Sequence, residues 1–208
     1  MKHCMIIAAL LLLHAGTVSA QIDETADFKS AGTVSLGTRN TFSMFNDDPG
    51  IGVGIGGQYR IQVSDRINTE WYLDYITSKN KTYTNRNDYH FGWSVMYYFG
   101  NTVDFSNLLQ PYFVGGHCFD YSKVMEQKNR SNYADRWSMA TQAGLGTHIN
   151  ITRFLDCSLT GQYMLHFGKE IETSINKDIV TIEKRDFSSP EGHLLFTIGF
   201  NYKLFHLW

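Results

Sequence analysis

GHLLFTIGFNYKLFHLW spans Gly192 to Trp208. Leu194, Phe196, Ile198, Phe200, Tyr202 and Leu204 fall on one parity, and Leu195, Thr197, Gly199, Asn201 and Lys203 fall on the other. Side chains two residues apart share a face of a strand. The stretch therefore reads as a strand with one broad apolar face and one small or polar face. Trp208 ends the chain on the apolar parity, while Phe205 to Trp208 run beyond strict alternation.

Working back from it, seven more segments carry the same two-faced pattern: 32–42, 50–63, 67–78, 88–100, 110–122, 136–149 and 155–168. In the second, Ile51, Val53, Ile55, Tyr59, Ile61 and Val63 alternate with Gly52, Gly54, Gly56, Gln58, Arg60 and Gln62. In the fourth, Tyr89, Phe91, Trp93, Val95, Tyr97 and Phe99 oppose His90, Gly92, Ser94 and Met96. The fifth has no clear parity, because Tyr112, Val114 and Cys118 on one face and Phe113, His117 and Phe119 on the other are both partly apolar. Residues 64–66 and 150–154 read as short turns, and 79–87, 123–135 and 169–191 as longer polar loops.

Composition narrows the class. The chain has 208 residues and a formal charge of −2. Met1 to Ala20 combines Lys2, an apolar run and Val18-Ser19-Ala20, the pattern of a cleaved secretory signal peptide. Its only charged side chain is Lys2, so the remainder is slightly more acidic, which argues against a nucleic-acid partner. Residues 21–31 read as a flexible lead-in and 32–208 as one β-barrel domain. Cys118 and Cys157 fall on strands that are not neighbours and are expected to be free thiols. Twelve Tyr, fourteen Phe and four Trp with only three Pro suit an all-β chain.

Eight strands of about ten residues suit tilted bilayer crossings. The rival is a soluble barrel with its greasy face inward, such as a lipocalin. An eight-stranded barrel is barely wide enough inside for side chains. The Gly-, Ser-, Thr- and Gln-rich parity fits such an interior, whereas the aromatic parity does not. Tyr59, Trp71, Tyr75, Tyr89, Phe99, Trp137 and Tyr202 also sit toward strand ends, as interface girdles would. The fold expected is an all-β, eight-stranded antiparallel up-and-down transmembrane β-barrel.

With 109–122 (LQPYFVGGHCFDYS), 143–163 (AGLGTHINITRFLDCSLTGQY) and the closing strand, the chain resembles small bacterial outer-membrane β-barrels of the OmpA-transmembrane, OmpX or OmpW kind. The resemblance implies a non-enzymatic, porin-like or structural protein of the Gram-negative outer membrane, with both termini periplasmic, short periplasmic turns and longer outer loops. It also implies a monomer in contact with outer-membrane lipids and lipopolysaccharide. The closing strand and its terminal aromatic would be recognised by the barrel-assembly machinery. With the chain ending at Trp208, no peptidoglycan-binding domain is expected.

The candidate site is an interior polar network of Arg39, Arg60, Glu70, Asp74, Arg136, His148, Asp156, His166 and Lys203, with His90 on the same inward parity. Buried charges must pair. A turn centred on Asp65 sets Arg60 opposite Glu70 and Gly56 opposite Asp74, and one centred on Thr152 sets His148 opposite Asp156; both Arg60–Glu70 and His148–Asp156 are expected as cross-strand pairs. Gly52-Val53-Gly54-Ile55-Gly56-Gly57 matches a dinucleotide-binding pattern but lacks the following helix, so it reads as an inward glycine stripe making room for Arg and Tyr. No catalytic, cofactor or metal residues are assigned, and no cofactor is expected. Ser138 with His166, the nearest approach to a lipid A deacylase pair, faces inward. Asp47-Asp48 and the 170–191 loop are solvated charge or sites for cations or lipopolysaccharide phosphates. A lipid A-modifying enzyme and a soluble secreted carrier stand as the alternatives in other classes.

Overall fold

The structure, a computed structural model, describes residues 30–45, 50–80, 83–99, 108–177, 179–185 and 191–208. The expected signal peptide, most of the expected lead-in and Asp47-Asp48 lie outside the described residues.

Among the described residues ten strands form: β1 (Thr33–Phe45), β2 (Ile51–Ser64), β3 (Ile67–Asn80), β4 (Thr84–Tyr98), β5 (Leu109–Glu126), β6 (Tyr133–Asn150), β7 (Leu155–Phe167), β8 (Glu170–Asn176), β9 (Ile179–Arg185) and β10 (Glu191–His206). Eight of them close a barrel in the order β1-β10-β7-β6-β5-β4-β3-β2. Every neighbouring pair is antiparallel, and β1 pairs with β10 to seal the ring. Closure leaves the barrel no free edge. We call the end at which β1 begins and β10 stops the terminal end and the other the hairpin end.

The barrel is inside-out relative to a soluble fold. Leu73, Phe91, Trp93, Phe119, Leu145, Phe196 and Phe200 are exposed, while Arg39, Arg60, Glu70, Asp74, Asp120 and Asp156 are buried. An apolar exterior of this extent far exceeds what a soluble monomer leaves in water. It matches the hydrocarbon of a bilayer. Tyr75, Tyr89, Tyr121 and Trp137 are register partners on β3 to β6 and form a row of rings with centroids 4.9, 6.1 and 5.0 Å apart. Tyr89 and Phe99 mark the two ends of one wall. Ten residues at about 3.3 Å, tilted by about 40°, give a band of about 25 Å, the height of an outer-membrane barrel's apolar belt.

Four sequence expectations are corrected here. Residues 169–191 are not one loop, because Glu170–Asn176 and Ile179–Arg185 pair as a separate hairpin turned at Lys177, which has φ of 47°. Their charges masked a run of Ile, Val and Thr with strand propensity. Strands β4, β5 and β6 reach further toward the hairpin end than the apolar pattern did, since there Asn85, Asn87, Lys123 and Asp135 take outward positions while the ladder continues. Val34 shares the parity of Leu36, which is exposed, and by alternation should face outward too, yet it is fully buried, and a register shift between Val34 and Ser35 against β10 accounts for it. On β10, Leu204 and Phe205 are in consequence both exposed. Finally, the interior is not only small and polar. Tyr72, Tyr98, Tyr112, Met96, Ile76, Met164 and Leu195 are buried in it. The glycines make this possible: a Cβ at Gly92 would lie 2.5 Å from the Tyr72 hydroxyl, and one at Gly146 would lie 2.5 Å from the Tyr112 ring.

The parity left open on β5 is settled by burial. Gln110, Tyr112, Val114, Cys118, Asp120 and Ser122 face in, and Phe113 and Phe119 face out. Cys118 and Cys157 are free, as expected.

Candidate functional site

All nine predicted network residues point into the lumen and are buried. They divide into two levels, separated by the apolar cluster of Tyr72, Ile76, Cys118, Ala140, Met164 and Leu195.

The terminal-end level holds Arg39, Arg60, Glu70, Asp74, His148, Asp156 and Lys203. Arg60 is opposite Glu70 in register, as the turn at Asp65 predicts. Its guanidinium nevertheless crosses the lumen to Asp156, donating from Nη2 at 2.6 and 2.9 Å, with Nε donating to Ser35 Oγ at 3.1 Å. Glu70 instead accepts from Arg39 Nη1 at 2.5 Å. Arg39 also donates from Nε to both Asp74 oxygens at 3.1 Å and lies over the Tyr72 ring, 4.2 Å from its centroid. The expected Arg60–Glu70 pair is thus wrong in partner though right in register. A ladder argument knows the neighbouring strand, whereas in a narrow ring opposite walls also meet.

The expected His148–Asp156 pair fails by register. His148 is opposite Ser158 and Asn150 opposite Asp156, because the β6–β7 turn centres one residue later than Thr152. Thr152 Oγ1 accepts from the backbone of Phe154 and Leu155 at 3.2 and 3.0 Å, which sets that turn. The slip conserves parity, so both side chains remain inside, and both reach Arg60: His148 Nε2 is 2.6 Å from Arg60 Nη1. Asn201 donates to Asp156 at 3.0 Å, and Lys203 donates to Asn150 at 3.1 Å and stands 4.0 Å from Asp156. Three cations and three carboxylates balance. The cavity lined by Arg60, His148, Asn150, Asp156 and Lys203 is about 10 Å³, no more than one water.

The hairpin-end level was only partly foreseen. Arg136 and His166 were expected in the interior network, but Arg86 and Glu191 were read as loop residues, and Asp88, Asp120 and His193 were not singled out. Glu191 bridges two arginines, accepting from Arg86 Nη1 at 2.5 Å and from Arg136 Nη2. Arg86 also donates to Asp88 at 2.9 Å, and Arg136 to the Lys169 carbonyl at 2.8 Å. Beneath this layer His90, His166 and His193 surround one point, with ring centroids 4.8 to 6.0 Å apart. Asp120 faces two of them: Oδ1 is 3.3 Å from His90 Nε2, and Oδ2 is 3.1 Å from His166 Nδ1. Ser138 donates to Asp120 at 3.1 Å, so the carboxylate lies between serine and histidine. His166 Nε2 meets His193 Nε2 at 3.2 Å instead of the serine. Base and nucleophile are therefore not in the order that acyl transfer requires.

No protein-family model matches the chain, and no curated protein matches it. Solved structures do. Neisserial surface protein A aligns over 83% of this chain and 96% of its own, at 17% identity and TM-score 0.51. A major outer membrane protein from Thermus thermophilus aligns over 82% and 99%, at 7% identity and TM-score 0.55. Outer membrane protein AlkL, solved by solid-state NMR in lipid bilayers, aligns over 90% and 98%, at 12% identity and TM-score 0.52. The chain has the fold of the eight-stranded outer-membrane barrels.

Within that barrel Gly52, Gly54 and Gly56 make room in the lumen as expected, but for Ile76 and Asp74 rather than for Arg and Tyr, and Gly57 faces outward. A Cβ at Gly56 would stand 2.1 Å from Asp74 Oδ1, and one at Gly54 would stand 2.6 Å from Ile76 Cγ1. These glycines give up volume to charged and bulky partners on β3.

Proposed function

We propose that the protein is a non-enzymatic barrel of a bacterial outer membrane, with a structural and surface-interaction role and a lumen that does not conduct. The closed, charge-balanced cross-section at Arg39, Arg60, Glu70, Asp74, Asp156 and Lys203 carries this reading. A pore needs a continuous water column, and here Arg60 spans the lumen to the opposite wall. The likeness to outer-membrane barrels and the apolar belt support the location. The termini face the periplasm on this reading, so the β8–β9 hairpin faces outward. So do the far ends of β3, β4 and β5, where a cleft of about 740 Å³ is lined by Thr77, Lys79, Asn85, Asn87 and Gln127. Lipopolysaccharide and outer-membrane lipids are the surroundings, and the closing strand is the segment offered to the assembly machinery.

The test combines two measurements. The protein is expected in the outer-membrane fraction, with mobility on gels that changes on boiling, and in planar bilayers it is expected to show no discrete conductance. Recovery as a soluble protein would overturn the location, and stable channel openings would overturn the closed lumen.

A further inference from the structure

Ion pairing alone does not account for the hairpin-end histidine cluster. The ligand nitrogens of His90, His166 and His193 lie within 4.8 Å of one another, and all three residues are buried. Two of the rings are backed by polar groups. His166 Nδ1 faces Asp120 Oδ2 at 3.1 Å, and His193 Nδ1 meets Ser43 Oγ at 3.2 Å. Both Nε2 atoms therefore aim at the same point and stand 3.2 Å apart. A tetrahedral zinc with bonds of about 2.05 Å places its ligands roughly 3.3 Å from each other. An outer carboxylate or hydroxyl on one ring nitrogen with the other nitrogen free is how metal-binding histidines are oriented. On the third ring, His90 Nδ1 makes no hydrogen bond, and Nε2 faces only Asp120 Oδ1, at 3.3 Å and without hydrogen-bond geometry; His166 Nδ1 likewise faces Asp120 without it. Orphaned buried polar atoms of this kind call for a partner.

Charge points the same way. The fixed charges of this level are Arg86 and Arg136 against Asp88, Asp120 and Glu191. Glu191 takes both arginines and Asp88 takes Arg86, which leaves Asp120 with serines and histidines. A divalent cation beside it would offset the surplus carboxylate. Imidazole ligands select zinc and its neighbours over calcium or magnesium.

We propose that this level of the lumen binds one divalent transition-metal ion, zinc by its ligand set, through His90, His166 and His193. Asp120 and Ser43 are positioning residues for two of those rings. Binding needs no net proton release from neutral imidazoles: the proton shared between the two Nε2 atoms moves to His193 Nδ1, where Ser43 accepts it. The Arg86–Glu191–Arg136 layer covers the site, so the ion enters during folding or through that layer.

The untagged protein, refolded in detergent with Co²⁺ or Zn²⁺ present, tests this. One ion per chain is expected after removal of excess metal, with Co²⁺ showing the visible bands of tetrahedral nitrogen coordination. His166→Gln and His193→Gln are expected to weaken binding by more than about 100-fold, and Asp120→Asn by about 10- to 100-fold. His117→Gln, whose ring accepts from Trp93 Nε1 on the outer face, is expected to leave it unchanged. Heat-dependent gel mobility confirms that each variant has folded. A folded wild-type barrel that takes up neither ion overturns the proposal, and so does stoichiometric binding that survives both histidine substitutions. Neither result bears on membrane location or conductance.

Discussion

At the residue scale, the lumen is organised by arginines whose charge is met from more than one strand. Arg60 is held by Asp156, Ser35 and His148, and Arg39 by Glu70, Asp74 and Gln58. Removing one partner from such a site leaves a buried charge uncompensated, which costs about 3–5 kcal/mol. Asp156→Asn is therefore expected to lower the urea unfolding free energy of the refolded barrel by that amount. Arg60→Met combined with Asp156→Leu is expected to recover part of the loss, because an apolar pair leaves no guanidinium stranded. Recovery stays incomplete while Lys203 and Asn201 also face that carboxylate's position. That Arg39, Arg60, Glu70 and Asp74 point inward was legible from parity alone. Their partners were not, since Asp156 lies across the ring from Arg60 and a sequence records only neighbours along the chain and across a turn.

At the element scale, the β8–β9 hairpin and the closing strand behave as separate pieces. The hairpin is its own two-stranded sheet and touches the barrel at few points, among them Asn132 donating to the Val180 carbonyl at 2.8 Å and Lys184 pairing with Asp135 at 2.9 Å. Exposed pairs of this kind contribute little. Replacing residues 170–185 by a short linker is expected to shift the unfolding free energy by no more than about 1 kcal/mol. Glu191→Gln, just beyond it, is expected to cost about 3 kcal/mol by urea titration, because two buried arginines lose their shared carboxylate. Charge density explains why both were misread: Glu170 to Arg185 looked like a loop, and Glu191 looked like its end.

At the scale of the whole molecule, the decisive property is the reversal of polarity, with lipid-facing aromatics outside and ion pairs within. Val95 lies near the midpoint of the β4 belt between Tyr89 and Phe99. Val95→Arg is expected to cost about 2–4 kcal/mol in lipid vesicles, whereas Phe99→Arg at the belt's edge is expected to cost no more than about 1 kcal/mol. Equal, small effects at the two positions would contradict a hydrocarbon-facing wall. The depth dependence belongs to the assembled barrel, since both residues lie on one stretch of chain with one parity and differ only in height.

Alternation with period two determined the eight strands, their inward and outward faces except on β5 and at Val34, and the register of the β2–β3 hairpin, because each of these depends on residues close in sequence. Tertiary closure decided the rest. It set Arg60 against Asp156, buried Val34 at the register shift with β10, and let Gly92 and Gly146 admit Tyr72 and Tyr112. It also drew His90, His166 and His193 from β4, β7 and β10 to one point. The Arg60–Asp156 and histidine contacts cross the lumen and Val34 lies at the sealing seam, where distance in space no longer follows distance along the chain, whereas the glycine–tyrosine pairs are cross-strand neighbours whose fit depends on the volume of the closed interior.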